Sequence, residues 1–262
     1  WARASLLALS RAAATRTSPM SVAENLAKVQ ANVQAAAVAR AAALKASEPA
    51  YVRLVAVSKT KPVEALKEAY DAGHRHFGEN YVQELVEKAG AMPADTQFHF
   101  IGHLQGNKVG MLVKGVPGLA CLETIDSEKL ARAVDKAWSA SYPERKLRVM
   151  VQVNSSGEET KNGVDAEDIA GLCTIIAKEC EGLQLCGLMT IGAPDYSGCR
   201  TEDFETLKRC RDEAAAALGV ETESIELSMG MSTDYEPAIR EGSTSVRVGS
   251  AIFGARSYPA KS

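Results

Sequence analysis

The chain is 262 residues long, 46% hydrophobic and 24% charged, with a formal net charge of -3. That size and apolar content suit a globular core, and the slight acidity with no long Lys/Arg run excludes the basic field that grips nucleic acid. No stretch approaches the roughly 20 uninterrupted apolar residues of a bilayer-spanning helix, so neither nucleic acid nor membrane is an expected partner.

The head of the chain, "WARASLLALSRAAATRTSPM", carries Arg3, Arg11 and Arg16 and no acid before Glu24. This is the composition of an organellar transit segment or of a disordered tail. Residues 1–20 are therefore set apart from the fold, and 21–262 are expected to form one domain. The compartment this implies is cytoplasmic or organellar (mitochondrion or chloroplast), not secreted. Next, Ser21 and Glu24 have the spacing of a capping box, followed by Val22, Leu26, Val29 and Val33 on one face, which predicts a helix.

From Tyr51 onward short β-branched or apolar runs alternate with longer amphipathic segments. Strands are predicted at "YVRLVAV", "HRHFG", "FHFIG", "GLACLET", "LRVMVQV", "LQLCGLMTI", "SIELS" and "SVRVG". Helices are predicted over 62–72, 79–89, 105–114, 127–140, 166–178, 201–218 and 234–241, with a short piece after Ala251. Pro62 marks a first turn, and Gly73, Gly90 and Gly219 mark positions beyond last turns. Eight strand and helix units, with strands apolar enough to be covered on both faces, favour an α/β fold in the form of a single (β/α)8 TIM barrel. An open doubly wound sheet would want a G-x-G-x-x-G first turn, which the sequence lacks. The six cysteines form no C-x-x-C pair and have no matching histidine cluster, so they read as reduced, buried thiols and signal no metal site.

In such a barrel the functional groups sit at the C-terminal ends of the strands. The stretches "LSMGMSTD" and "VRVGSAIFG" each end a strand with Gly and Ser, offering backbone N–H groups and hydroxyls suited to a phosphate. The plainer alternative is that Ser232 and Ser250 only cap helices. Lys59 ends the first strand. If it points at the axis near Arg247 it is partly desolvated beside a like charge, two conditions that favour a neutral, nucleophilic amine over a solvated lysine like Lys61. A reactive lysine facing a phosphate cradle suits a phosphorylated aldehyde or ketone, either pyridoxal 5'-phosphate (PLP) or the sugar phosphate of a class I aldolase, for which Glu79 is the nearby proton shuttle. Arg247 favours PLP, because a guanidinium facing the pyridine nitrogen leaves it unprotonated and the ring a poor electron sink.

Seven stretches in order, "LVAVSKTKP", "HFGENYVQE", "FHFIGHLQGNK", "VNSSGEETKNGV", "GLMTIG", "ELSMGMSTDYEPAI" and "GSTSVRVGSAIFGAR", closely resemble the pyridoxal phosphate homeostasis protein family. The resemblance implies a barrel like the N-terminal domain of alanine racemase that holds PLP as a Schiff base, without firmly established catalysis, and that buffers or delivers PLP in vitamin B6 balance. By motif it implies Lys59 as the Schiff-base residue, Asn80 lining the site, Ser228, Gly230 and Ser232 from "SMGMS", Arg247 at the pyridine nitrogen, and Gly249 with Ser250 at the phosphate. No catalytic residue is assigned. Ser250 stands where many members have Thr, and Phe98 where Trp is usual.

The expected partners are PLP and PLP-dependent apo-enzymes as recipients, with the chain acting as a monomer. The alternative is a PLP-dependent amino-acid racemase. In alanine racemase the second acid/base is a tyrosine from a separate domain, and that domain is expected to be missing, since the chain stops soon after "VRVGS".

Overall fold

The computed structural model describes residues 20–156, 162–192 and 200–255. Apart from Met20, the transit-like head lies outside them. Eight parallel strands, β1 (Arg53–Val57), β2 (His76–Glu79), β3 (Gln97–Phe100), β4 (Leu119–Ile125), β5 (Leu147–Gln152), β6 (Leu183–Met189), β7 (Glu226–Ser228) and β8 (Ser245–Val248), follow one another around a closed barrel. Between them run α2 (Val63–Asp71), α3 (Val82–Ala91), α4 (Val109–Gly115), α5 (Glu128–Ser141), α6 (Ile169–Glu179), α7 (Thr201–Leu218) and α8 (Tyr235–Arg240), with a final turn α9 (Ser250–Phe253). All eight predicted strands are present. The (β/α)8 expectation holds.

The preceding helix α1 (Val22–Ala43) begins with the predicted capping box. Ser21 Oγ accepts from the Glu24 amide at 3.1 Å, and the Ser21 amide donates to Glu24 Oε2 at 2.8 Å. Its buried face, Leu26, Val29 and Val33, lies beside α2, α8 and α9. Arg40 is tied to the turn between α8 and β8, donating to the carbonyls of Ile239 and Ser243. One punctuation mark was misplaced. Gly73 and Gly219 follow helices with positive φ as expected, but Gly90 lies inside α3, where a weaker helix former is carried by the packing of Leu85 and Val82.

Alternation along the strands divides the interior in two. Leu54, Ala56, Phe77, Phe98, Phe100, Leu122, Val149, Val151, Leu188, Val246 and Val248 point to the helices and share one continuous core with them. Phe98 belongs to this layer, 6.4 Å from the Phe77 ring, so its departure from Trp lies away from the barrel axis. The inner face is different. Cys121, Met150, Cys186 and Met189 make a small apolar plug, Val55 adds a further apolar side chain, and most of the other side chains there are polar. The five described cysteines are buried free thiols, as expected; Cys199 lies outside the described residues.

At the N-terminal end of the barrel Glu226 receives Arg53 from β1 at 2.6 Å and Arg148 from β5, so one carboxylate ties three strands across the axis. Burial pushes the Glu226 carboxyl up, but the Arg53 hydrogen bond and the two guanidinium charges outweigh it and hold the group below its ordinary value. A depressed carboxyl contributes stability that is present above its unfolded value and is lost as pH falls through the folded one. The melting temperature of the wild type is therefore expected to fall from about pH 5 to about pH 3. In Glu226→Gln the same profile should be flatter and start lower at neutral pH, as checked by thermal melts across that range.

Candidate functional site

The chain leaves β1 through Ser58, Lys59 and Thr60. Thr60 adopts φ +63°, a left-handed conformation that costs a β-branched residue about 1 kcal/mol or more. The turn is held from behind. Lys88 of α3, only 4% exposed, donates to the Ser58 carbonyl at 2.7 Å, to Glu79 Oε1 at 2.6 Å and to Glu84 Oε1 at 2.6 Å. Glu84 Oε1 also accepts the Thr60 amide at 2.6 Å, and Ser58 Oγ donates to Glu79 Oε1 at 2.6 Å. The backbone on both sides of Lys59 is thus tied to one helix, while the Lys59 side chain itself is half-buried. Burial, offset by Lys88 and Ser58, leaves the Glu79 carboxyl above its ordinary value. Glu79 shares the helix-facing side of β2 with Phe77 and is engaged by Lys88 there, away from the inner face where a proton shuttle would stand.

The inner wall carries a second chain of contacts. Arg247 of β8, 4% exposed, donates from Nη1 to Ser228 Oγ and from Nη2 to the Thr190 carbonyl, each at 2.6 Å. Ser228 Oγ donates onward to Glu123 Oε2 at 2.6 Å, and Glu123 Oε1 meets His99 Nδ1 at 2.7 Å. His99 Nε2 in turn meets His76 Nδ1 at 3.1 Å. Burial pushes the Glu123 carboxyl up, but His99, the Arg247 charge and the Ser228 hydroxyl bring it below the ordinary range, so it stands ionised as the buried counter-charge of Arg247. Burial and neighbouring His99 push His76 down to about 3. His99, Cys121 and Glu123 offer ligand atoms within 4.8 Å of one another, a cluster the sequence did not signal. Those atoms are engaged in hydrogen bonds instead, Cys121 with Cys186 at 3.9 Å and the other two with each other.

The strand ends place the predicted residues as follows. β8 pairs with β1 from Arg53↔Ser245 to Ala56↔Val248, and β1 with β2 through Val57↔Gly78, so Gly249, Lys59 and Asn80 leave three neighbouring strands at one rim. Gly249 packs so closely on β1 that an added Cβ would lie 3.2 Å from the Val57 carbonyl oxygen. Ser232 does not cap α8. Its hydroxyl accepts the Gly249 amide at 3.1 Å, joining the loop after β7 to the turn after β8. Ser250 is the exposed first residue of α9 beside that joint. Gly230 has φ +97°, with Ala238 where a side chain would go, so it shapes the loop by backbone alone. Asn80 has its side-chain oxygen buried without a hydrogen-bond partner among the described residues, an acceptor open to a donor from the rim. Ser228 sits deeper than expected, fully buried with its hydroxyl engaged by Glu123 and Arg247. It reaches the rim only through Arg247. Lys88, Glu84 and Glu123 were not singled out from the sequence. The available signal was weak, in polar residues at alternate strand positions and the i, i+4 spacing of Glu84 and Lys88.

The model of the alanine racemase N-terminal domain matches residues 22–257. The pyridoxal phosphate homeostasis protein of Bos taurus is 47% identical over 240 residues, 89% of this chain and 86% of its own. An unknown protein from Bifidobacterium adolescentis superposes with a TM-score of 0.76 at 34% identity, covering 88% of this chain and 94% of its own. PipY of Synechococcus elongatus, solved with PLP bound, gives 0.68 at 31% identity over 89% and 100%.

Replacing Ser228 by Ala removes the hydroxyl that Arg247 and Glu123 share and leaves both buried charges short of a partner. Urea denaturation is expected to show a loss of about 1–3 kcal/mol.

Proposed function

Because the chain belongs to the pyridoxal phosphate homeostasis protein family and carries its alanine racemase N-terminal barrel, we propose that it binds PLP at the rim formed by β8, β1 and β2 and serves as a PLP carrier rather than an enzyme. The observation that carries the reading is the convergence on that rim of a half-buried lysine, the Gly249–Ser250 turn and a buried asparagine oxygen with no partner. The residues fit the group, since the orphaned Asn80 acceptor wants a donor and the close packing of Gly249 on β1 leaves a turn of bare backbone beside Lys59.

When bound, PLP brings a reactive aldehyde, a ring able to accept electrons and a phosphate dianion. Lys59 would supply the amine that holds the aldehyde group. Gly249 and Ser250, with Ser232 joining their turn to the neighbouring loop, take the phosphate. Arg247 would hold the ring-nitrogen side of the group. Its guanidinium is fixed between Ser228 and Thr190 and compensated by Glu123, and with no proton to give it would leave the ring a weak electron sink suited to storage. Gly230 shapes the loop, Ser228 positions Arg247, and Asn80 orients the group. The aldolase reading loses its shuttle, because Glu79 is bound to Lys88 on the helix side of β2. PLP-dependent apo-enzymes are the proposed recipients and the monomer the proposed form. An organellar address rests on residues 1–20 alone, while the described residues contain no helix long and apolar enough to cross a membrane.

The test is visible spectroscopy. Protein incubated with PLP is expected to gain an absorption band that borohydride abolishes and that Lys59→Ala lacks, with turnover of L-alanine no faster than free PLP on chiral chromatography. A colourless protein that takes up no PLP would sink the binding reading, and clear racemisation would overturn the carrier reading.

A further inference from the structure

Among the described residues the left-handed non-glycine residue at the rim is Thr60, immediately after Lys59, and the two peptide groups that flank Lys59 are tethered to α3. Lys88 spends its three donors on the Ser58 carbonyl, Glu79 and Glu84, and Glu84 holds the Thr60 amide. The Ser58 carbonyl also accepts the Lys61 amide at 3.0 Å, so the loop is closed on itself as well as on the helix. Lys88 is inaccessible, its side chain 5% exposed, and none of its contacts reaches the inner face. An ammonium buried among two carboxylates and a carbonyl is costly to assemble, and apolar side chains of similar volume would serve packing as well. Lys88 holds the Ser58 carbonyl directly and, through Glu84, the Thr60 amide, so the pair reaches both peptide groups that flank Lys59.

We propose that Glu84 and Lys88 are positioning residues for Lys59: through the Thr60 amide and the Ser58 carbonyl they hold the strained turn that presents the Lys59 amine to its ligand. This rests on the reading of Lys59 as the residue that bonds PLP. A side chain aimed this way gains affinity because the geometry is set before the ligand arrives. If the tether is released, Thr60 relaxes out of the left-handed region and Lys59 is aimed over a wider range.

The experiment uses the full chain with Glu84→Ala, since Glu84 is partly exposed and its loss leaves the Lys88–Glu79 pair intact. Two readouts are taken, Thr60 amide exchange by NMR without PLP and the PLP dissociation constant from the visible band. In E84A the Thr60 amide is expected to exchange faster and PLP to bind about tenfold more weakly, equivalent to about 1.4 kcal/mol. Adding Thr60→Gly, which adopts positive φ without strain, is expected to bring affinity back to within about twofold of wild type. Thermal melts of both variants separate this from a general loss of stability, since relief of strain at residue 60 raises the melting temperature as well. Unchanged Thr60 exchange, or wild-type affinity in E84A, overturns the proposal. If the wild type takes up no PLP, the functional reading fails, and the tether is then judged on Thr60 exchange alone.

Discussion

The pairing of β8 with β1 closes the barrel, and most of the functional geometry depends on it. A parallel strand has no edge to spare to solvent, so eight of them reach a low free energy by joining last to first with helices covering the outside. Once Arg53 to Ala56 pair with Ser245 to Val248, the turn after β8 lies against the turn after β1. Residues near opposite ends of the sequence then share one rim. The contact of Gly249 with Val57 and the Ser232 to Gly249 hydrogen bond are local refinements of that closure.

A closed barrel leaves an interior that must be filled. Here it is filled largely with charge, and the charges are arranged in two tiers. Near the N-terminal end one carboxylate is shared by two guanidiniums; nearer the rim one guanidinium is matched by one buried carboxylate through a serine. The tier nearer the rim is self-compensating, while the lower one keeps one positive charge in excess. Arg247 can therefore keep its charge at 4% exposure, with its position set by Ser228 and the Thr190 carbonyl rather than by water. Outside the strands the same logic recurs on a smaller scale, where Lys88 compensates Glu79 and Glu84 and in doing so fixes the turn that carries Lys59.

The helix starts and strands were legible because they are written in local periodicity. The Ser21 and Glu24 box, the apolar runs of β1 to β8 and the glycines after α2 and α7 each depend on residues a few positions apart. Gly90 misled because one residue's propensity is worth about 1 kcal/mol and packing outweighs it. Ser232 invited reading as a helix cap because capping is the local option; its actual partner, the Gly249 amide, is a neighbour only after the barrel closes.

The sequence by itself determined the class of fold, the residues at the strand ends and the motifs that carry the family likeness, since each is a property of short segments. Only the tertiary structure decided which of those residues face one another. It put Glu79 behind β2 with Lys88, set Ser228 beneath Arg247 as a link to Glu123, and left the Asn80 oxygen without a partner at the rim. The physical reason is that strand register and closure fix which side of the sheet a side chain occupies, and a contact between distant segments exists only once that register is set.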